Sequence, residues 1–348
     1  MRDRATCVAI AASLLGAAGA CRGQAGFLTG WGGCSFGQCL APQGAFVDFA
    51  GGLDYSLGLR PNGEVVVWGN TKGGMYNVPQ GRFVRIATGK GHRWAAGIRD
   101  DGTIAVWGQP LLPSMFQPPP GQFVEVALGN YAGIARRADG TLVAWGDDTF
   151  GQLSGVLPGQ FIAIAAGTTH CLALRADGNV EGWGSNFHGQ LDLEGSTCVR
   201  IAAGDGHSLA LRADGMLVAV GWNISGQINV PPGTYTSIAT HWRTNVAVRT
   251  DGTIAAWGQS GLVTQNIPPG TYRRVEMGHT HALAMYGCFA DCDGATTTPT
   301  LTVNDFVCFL NKFAAGDTYA NCDGSAMPPV LNVNDFVCYV NAYAAGCP

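Results

Sequence analysis

The residues best suited to chemistry are three histidines at equivalent places in an internal repeat. One aligned column of the repeat contains Tyr55, Trp94, Ala132, His170, His207, Thr244 and His281. Imidazoles at equivalent places could bind a metal, but a metal site needs its ligands to converge at about 2 Å from one ion. Because these histidines belong to separate repeat units, we expect them instead to pack and hydrogen-bond between units.

The sequence predicts no catalytic residue. We expect no Gly-x-Ser-x-Gly nucleophile elbow, no His-Glu-x-x-His pair and no phosphate-binding loop. Asp147 and Asp148 are adjacent acids in a loop, where such pairs are usually solvated. An enzyme built from scattered residues near a propeller axis stays open as an alternative.

A repeat of 37 to 39 residues positions these side chains. Its marker is a Trp-Gly pair or a close substitute, which begins at Trp31, Trp68, Trp107, Trp145, Trp183, Val220 and Trp257. One unit, 161–190, contains two apolar runs, the turn Asp177-Gly178 and a Trp-Gly segment, a pattern that predicts three strands and a short fourth. The period and the strands predict an all-β, seven-bladed β-propeller.

The sequence also predicts that an N-terminal segment and the last unit together form one blade. The last unit, 272–285, has its first two strands but lacks the Asp-Gly turn and the Trp-Gly strand. The segment 27–38, FLTGWGGCSFGQ, supplies what is missing. We therefore predict closure by N-terminal strand exchange into the last blade, which removes open sheet edges.

The units resemble the repeats of the RCC1 (regulator of chromosome condensation) family. The segment 204–227, GDGHSLALRADGMLVAVGWNISGQ, carries most of the family pattern GxxHSLAL…DGxVxxWGxNxxGQ. The short units, with INVPPGTY at 228–235, look like compact RCC1-like propellers of secreted bacterial proteins, one of which is a β-lactamase inhibitor. The resemblance covers 26–287 and implies a propeller. It gives little support to guanine-nucleotide exchange on chromatin, because the chain looks exported and lacks a basic face.

The loops after the Trp-Gly strands form the candidate binding face. They read GCSFGQ (33–38), DDTFGQ (147–152), SNFHGQ (185–190) and WNISGQ (222–227). We assign Phe36, Phe150 and Phe187 to one register and add Trp222. Because repeats place equivalent loops on one face, these aromatic residues suit the binding of a protein or a glycan. The alternative is that each Phe packs onto its own blade.

The N-terminus indicates export. Arg2 and Arg4 precede an apolar stretch at 8–20, so we predict a signal peptide over 1–25. Cys21 follows Ala-Gly-Ala, a weak resemblance to a lipoprotein processing site that leaves lipidation open. The expected location is secreted, periplasmic or cell-surface. No other segment approaches the length of a membrane span.

The twelve cysteines suit an exported chain. Cys34 and Cys39, five residues apart, are predicted to form a local disulfide. Cys171 and Cys198 could pair between neighbouring blades or stay buried and free. The net charge is −4 and the basic residues are dispersed, so we predict no nucleic-acid partner. We expect a monomer.

The segment 288–348 contains two copies of a cysteine-rich unit, 291–316 and 321–346. Each copy has an acidic Asp-Gly turn, a loop and an Asn-Asp pair that opens an amphipathic helix. Asn304 and Asn334 can cap these helices, and Asp305 and Asp335 suit the positive helix N-terminus.

This tail resembles the paired calcium-loop and helix segments of dockerins. The resemblance implies Ca²⁺ as cofactor and a cohesin-like receptor. The implied calcium ligands are Asp291, Asp293, Asp305, Asn321, Asp323 and Asp335. The inserts TTTP and AMPP enlarge both loops relative to that family. A loop-to-helix clamp by the cysteines is the alternative, giving a stapled helical pair without calcium. The cysteines concerned are Cys292, Cys308, Cys322 and Cys338.

Together these features predict a signal peptide (1–25), a propeller (26–287) and a disulfide-rich calcium-loop/helix tail (288–348). The preferred interpretation is an exported, non-enzymatic binding protein. Its propeller would recognise an extracellular or envelope protein or glycan, and its tail would attach it through calcium. The alternatives are a secreted enzyme with an axial-channel site and an inhibitor of a secreted enzyme.

Overall fold

A computed structural model describes residues 26–286, except 71, 110 and 194–196, together with residues 310–311. The predicted signal peptide lies outside the described residues. So do the six predicted calcium ligands Asp291, Asp293, Asp305, Asn321, Asp323 and Asp335, and the tail cysteines Cys292, Cys308, Cys322 and Cys338.

Nearly all of the regular secondary structure in the described region is β-strand. Its strands are β1 Leu28–Gly32, β2 Asp48–Gly51, β3 Tyr55–Leu59, β4 Val65–Gly69, β5 Phe83–Thr88, β6 Arg93–Arg99, β7 Ile104–Gln109, β8 Glu125–Leu128, β9 Ala132–Arg136, β10 Leu142–Gly146, β11 Ala163–Ala166, β12 His170–Leu174, β13 Val180–Gly184, β14 Cys198–Ala203, β15 His207–Arg212, β16 Leu217–Gly221, β17 Tyr235–His241, β18 Thr244–Arg249, β19 Ile254–Gly258, β20 Tyr272–Met277 and β21 His281–Tyr286. Short helical turns occupy Lys72–Gly74, Pro113–Phe116 and, as α1, Leu262–Gln265. Among the described residues, no helix is long and apolar enough to cross a membrane.

These strands form seven antiparallel sheets of three strands. In chain order they are sheet one (β2–β4), sheet two (β5–β7), sheet three (β8–β10), sheet four (β11–β13), sheet five (β14–β16), sheet six (β17–β19) and sheet seven (β20, β21 and β1). The first strands of all seven sheets line one cavity, which is the axial channel. The arrangement fits a propeller of about seven blades.

Sheet seven contains strands from both ends of the described propeller. β1 pairs antiparallel with β21, and Leu28 lies opposite Met285 while Gly32 lies opposite His281. The first strand of the described region therefore completes the sheet that the last two strands begin.

In five of the seven sheets, the recurring tryptophan joins its sheet to the one before it. The Trp68 indole N–H donates to the Gln38 carbonyl at 2.8 Å, and the Trp183 indole donates to the Gln152 carbonyl at 2.8 Å. Both rings are buried. A buried indole N–H needs an acceptor, and here the acceptor is the loop that leaves the preceding sheet.

The histidine column has the structural role that its placement on separate units predicts. His170 Nε2 lies 2.9 Å from Ser208 Oγ, and His207 Nε2 lies 2.7 Å from Asn245 Oδ1 of the following sheet. His281 likewise bonds Ser56, 2.7 Å away in sheet one. All three imidazoles are fully buried. The column therefore ties neighbouring sheets together through hydrogen bonds.

Each sheet has two distinct ends. The hairpin between its first two strands lies beside the loop that leaves its third strand, since His170 at the start of β12 pairs with Gly184 at the end of β13. The Asp-Gly turns lie at the opposite end. We call the first end the loop face and the second end the turn face.

Two features of the cysteines are visible in the described region. Cys34 and Cys39 form a disulfide across the loop after β1. Cys171 and Cys198, whose pairing the sequence left open, are both free and buried. Burial raises the pKa of the Cys171 thiol to about 12, so this thiol is inert at neutral pH.

Candidate binding face

A buried glutamine shapes each Gly-Gln loop on the loop face. The side-chain oxygen of Gln38 accepts the Phe36 backbone N–H at 2.9 Å, and that of Gln152 accepts the Phe150 N–H at 2.9 Å. The Gln190 side chain does the same for His188 at 2.8 Å. The glutamine thus fixes the residue two positions before it.

These bonds correct one register that the sequence assigned. Phe36, Phe150 and His188 all donate to the glutamine two positions later, so they are equivalent. Phe187 precedes this position by one. Aligning the loops on either the tryptophan or the glutamine shows the shift, because these two residues are seven positions apart in all three units.

The predicted aromatic residues lie at the surface of this face. Phe187 is 87% exposed, Phe36 is 55% exposed and Phe150 is 43% exposed. Trp222 is half-buried. Phe150 also contacts Tyr131 of its own sheet, with ring centres 6.1 Å apart. Phe187 therefore presents most of its ring to solvent, while Phe150 is partly packed.

Phe187 begins a continuous row of stacked side chains across sheets four to seven. His188 meets the Phe187 ring edge-on at 5.0 Å and stacks on Trp222 at 4.9 Å with an interplanar angle of 6°. The guanidinium carbon of Arg243 lies 4.1 Å from the Trp222 ring centre and 5.8 Å from that of Trp242. The ring centres of Trp242 and His279 are in turn 4.3 Å apart. We call Phe187, His188, Trp222, Arg243, Trp242 and His279 the aromatic row.

The sequence pattern did not single out Trp242, Arg243 and His279, although their positions carry a signal. We call the hairpin between the first two strands of a sheet its inner hairpin. Its first residue is glycine in every sheet except sheet six. The residues at this position are Gly52, Gly89, Gly129, Gly167, Gly204, His241 and Gly278. The glycine is required in several sheets, because a Cβ on Gly204 or Gly278 would overlap the imidazole of His207 or His281.

Sheet six solves this packing problem differently. Its hairpin reads His241-Trp242-Arg243-Thr244, and His241 pairs with the small residue Thr244. The small partner leaves room for the His241 side chain, which is buried. Neither ring nitrogen of His241 has a hydrogen-bond partner among the described residues. Burial holds its pKa well below the usual value, so this ring is neutral.

The same hairpin contains backbone strain. Trp242 has a φ of 47°, and within the described region it is the one residue other than glycine with a positive φ. A bulky residue rarely adopts this conformation, which costs on the order of 1–2 kcal/mol. Trp242 is nevertheless 42% exposed, so burial of its ring does not account for the strain.

A cleft of about 260 Å³ opens beside the aromatic row. It lies between the sheet-six hairpin and the loop that contains α1. Its lining consists of Trp242, Thr244, Gln259, Ser260, Gly261, Leu262, Val263, His279 and Thr280. The Gln259 backbone N–H donates to the Arg243 carbonyl at 2.9 Å, which ties the cleft wall to the hairpin. Burial lowers the pKa of His279, so the cleft carries no imidazolium charge at neutral pH.

The axial channel is the other candidate site, and it is narrow and largely occupied by paired groups. Its cavity is about 170 Å³. Arg274 bonds Asp48 at 2.7 Å and Glu276 at 2.9 Å inside it. Lys90 Nζ donates to the Thr240 carbonyl at 2.7 Å, which joins sheet two to sheet six. Burial lowers the pKa of Lys90 to about 8.

The loop Gly33–Gly37 spells Gly-x-Ser-x-Gly, the elbow pattern that the sequence was expected to lack. In hydrolases this pattern places serine on a sharp turn between a strand and a helix. Here β1 is followed by turns, the Cys34–Cys39 disulfide and the Gln38 hydrogen bond. Ser35 is an exposed residue of a Gly-Gln loop. The loop therefore has the geometry of the repeat, not that of a nucleophile elbow.

Comparison with known proteins supports the repeat. A family model for the regulator of chromosome condensation (RCC1) repeat matches residues 123–152, 161–190 and 198–227. The propeller is RCC1-like. These three matches cover sheets three to five, which carry three of the four Gly-Gln loops. No curated protein matches the chain.

Solved structures agree on the fold of this RCC1-like propeller. Yeast RCC1 (Prp20), solved bound to Kap60, has a TM-score of 0.63 at 17% identity and covers 84% of this chain and 92% of its own. Human WBSCR16 has a TM-score of 0.61 at 15% identity, covering 76% and 99%. The ectodomain of the Physcomitrella patens receptor kinase CR4 has a TM-score of 0.58 at 18% identity, covering 66% and 67%. At these identities the likeness concerns the fold alone.

Proposed function

We propose that this chain is an exported, non-enzymatic binding protein whose loop face recognises another protein. The observation that carries the proposal is the aromatic row, which places exposed Phe187 and Trp242 at either side of a stacked His188, Trp222 and Arg243. Aromatic and arginine side chains on a rigid surface are the residues that most often anchor protein partners.

The repeat architecture supports this reading. Each Gly-Gln loop is fixed by its glutamine, and each inner hairpin is bonded to its neighbour, as where the Asp205 N–H donates to the Trp242 carbonyl at 3.0 Å. A surface that is already ordered loses little conformational entropy on binding. RCC1-like relatives include the yeast protein solved with Kap60, which is consistent with protein binding by this fold.

An enzyme in the axial channel remains the second candidate because of Lys90. A buried amine with a pKa near neutrality can act as a base or nucleophile. Against this candidate, Lys90 already donates to the Thr240 carbonyl, and Arg274 is paired with Asp48 and Glu276 beside it. An inhibitor of a secreted enzyme would be a special case of the proposed protein binding, with one-to-one stoichiometry.

The experiment compares full-length variants as affinity baits for the envelope and medium of the producing organism. Phe187→Ala removes an exposed ring from the loop face. Met216→Ala is the matched control, since Met216 is 48% exposed beside an Asp-Gly turn on the turn face. The proposal expects a protein that wild type and Met216→Ala retain and that Phe187→Ala loses at least tenfold. Equal retention by all three baits would overturn it.

Pretreating the extract separates the chemical classes of partner. Protease digestion should abolish retention, whereas periodate oxidation of glycans should leave it intact. Retention that survives protease and is lost with periodate would replace the protein reading with the glycan reading.

The tail enters the proposal as a calcium-dependent attachment module. Its six oxygen ligands, Asp291, Asp293, Asp305, Asn321, Asp323 and Asp335, rest on the resemblance to dockerins. We expect full-length protein to bind two Ca²⁺ by calorimetry, and the variant Asp305→Ala with Asp335→Ala to bind none. Absence of calcium binding by wild type would leave the stapled helical pair as the better account.

A further inference from the structure

We propose that the sheet-six hairpin and the adjacent cleft form a subsite for an acidic peptide segment. Arg243 would bind a carboxylate of the segment, and the cleft would take a neighbouring apolar side chain. The inference rests on the proposed function, since it names the chemistry of the partner at one end of the aromatic row.

The first argument is the unpaired charge of Arg243. Its guanidinium contacts Trp222 and Trp242 but makes no hydrogen bond or ion pair with any residue that the structure describes. Its Nε is buried and lacks an acceptor. Arg136, by contrast, bonds Glu125 at 2.9 Å. Asp205 approaches the hairpin only through its backbone N–H and forms no ion pair with Arg243.

The second argument is the arrangement of the guanidinium on its aromatic support. The Trp222 ring, 4.1 Å from the guanidinium carbon, restricts the guanidinium and leaves its N–H groups without partners among the described residues. A guanidinium held in this way presents a planar fork that matches the two oxygens of a carboxylate. A fixed fork loses less side-chain entropy on binding than a free arginine.

The third argument is the strained backbone that presents these residues. Trp242 adopts a positive φ that its counterparts in the other inner hairpins do not share. His241, just before it, takes the position that is glycine in those hairpins, and both of its ring nitrogens lack a partner among the described residues. Strain and unsatisfied polar atoms are retained where the local structure serves binding. Both occur here in adjacent residues of one hairpin.

The cleft supplies the apolar half of the subsite. Leu262 and Val263 of α1 form one wall, and the rings of Trp242 and His279 form another. A volume of about 260 Å³ is of the size of one large side chain. Gln259, Ser260 and Thr280 add neutral polar groups at its edge.

The charge balance favours a carboxylate over a phosphate. Arg243 is the one arginine or lysine in the aromatic row and cleft lining, and burial keeps His279 neutral at pH 7. Phosphate sites usually combine several cations or a set of backbone N–H donors. A single stacked guanidinium beside an apolar cleft fits an acidic residue next to an aromatic or aliphatic one.

The test uses two capped dipeptides as probes, N-acetyl-Phe-Glu-amide and N-acetyl-Phe-Gln-amide. They differ only in the charge of the second side chain. Binding to the full-length protein is followed by NMR shifts of the Trp222 and Trp242 indole N–H groups. We expect the Glu probe to bind at least about tenfold more tightly than the Gln probe, and the difference to disappear in Arg243→Gln.

Two further variants keep the test decisive. Arg212→Gln, which alters a turn-face arginine paired with Asp214 at 3.0 Å, should keep the preference for Glu. Leu262→Ser changes an exposed cleft residue and should weaken both probes while preserving their ratio. Equal affinity of wild type for the two probes, or an unchanged preference in Arg243→Gln, would overturn the proposal.

The outcome is separable from that of the proposed function. One outcome is that wild type binds both probes equally while Phe187→Ala still loses a protein partner. In that case the acidic subsite is wrong and protein binding by the loop face stands. If Arg243 discriminates the probes but Phe187→Ala retains every partner, the subsite stands and the larger face is wrong.

Discussion

Arg243 and Trp222 come from different sheets, yet the guanidinium carbon of one lies 4.1 Å from the ring centre of the other. Trp222 belongs to the Gly-Gln loop after sheet five, and Arg243 belongs to the inner hairpin of sheet six. The contact therefore joins the two kinds of loop that make up the loop face. It also links the exposed Phe187 end of the aromatic row to the cleft beside Trp242 and His279.

The glutamine of each loop should matter for both stability and binding. Gln190→Ala removes the acceptor of the His188 backbone N–H at 2.8 Å. An unsatisfied buried group costs about 1–3 kcal/mol, so we expect the free energy of unfolding to fall by that amount. Partner retention should also fall, because Phe187 and His188 lose their fixed geometry. Denaturant unfolding measures the first effect, with exposed Gln160→Ala as control. No change in Gln190→Ala would contradict this role.

Relieving the strain at Trp242 should separate stability from function. Trp242→Gly allows the positive φ at no steric penalty, so we expect the free energy of unfolding to rise by about 1 kcal/mol. The same change removes a ring of the aromatic row and should weaken binding. Trp222→Ala, which relieves no such strain, should lower both quantities. A Trp242→Gly variant that is less stable than wild type would show that the ring's contacts outweigh the strain.

His241 and Thr244 should be energetically coupled. Thr244→His introduces a second ring where His241 already fills the space, so the single variant should be destabilised. His241→Gly leaves a cavity beside Thr244. The double variant restores the glycine and histidine combination of sheets four, five and seven, and should be more stable than the sum of the single effects predicts by at least about 1 kcal/mol. Additive effects in a double-mutant cycle would refute the compensation.

Stability should decline below pH 6.5 because of the buried imidazoles. Burial lowers the pKa of His170 to about 3 and that of His281 to about 4. Between these values and 6.5 the unfolded chain binds more protons than the folded chain, so acid favours unfolding. The contribution of these buried imidazoles to the free energy of unfolding is fully present above pH 6.5. It is lost as the pH falls toward 3, at about 1.4 kcal/mol per pH unit for each imidazole.

Chemical denaturation at pH 7, 6, 5 and 4 measures this slope. His170→Gln should reduce the slope by the share of one imidazole while lowering stability at pH 7, because the bond to Ser208 changes. A slope that is identical in wild type and His170→Gln would contradict the assignment.

The fold could be predicted because it depends on local sequence patterns that recur from unit to unit. Trp-Gly pairs mark the third strands, Asp-Gly turns mark the hairpins before them, and alternating apolar runs mark the inner strands. The pairing of β1 with β21 follows the same logic, since 27–38 supplies the Trp-Gly strand that 272–285 lacks. The free state of Cys171 and Cys198 could not be predicted, because it depends on a distance between sheets.

The site was only partly predictable for a different reason. Phe36, Phe150 and Phe187 stand out in the loop pattern, but Trp242, Arg243 and His279 lie in inner hairpins that the pattern treats as connections. Their contacts arise from the ring of sheets, which brings a loop of one sheet beside the hairpin of the next. The available signal was that His241 stands where the other six sheets have glycine. This substitution becomes interpretable only when the packing of His241 against Thr244 is seen.

The central claim is that the loop face binds a protein, and site-specific photo-crosslinking in the producing organism tests it most directly. A benzophenone side chain is placed at Phe187 on the loop face or at Met216 on the turn face of the full-length protein. The account predicts a discrete crosslinked protein partner from position 187 and none from position 216. Crosslinks from position 216 alone, or no protein crosslink from position 187, would contradict it.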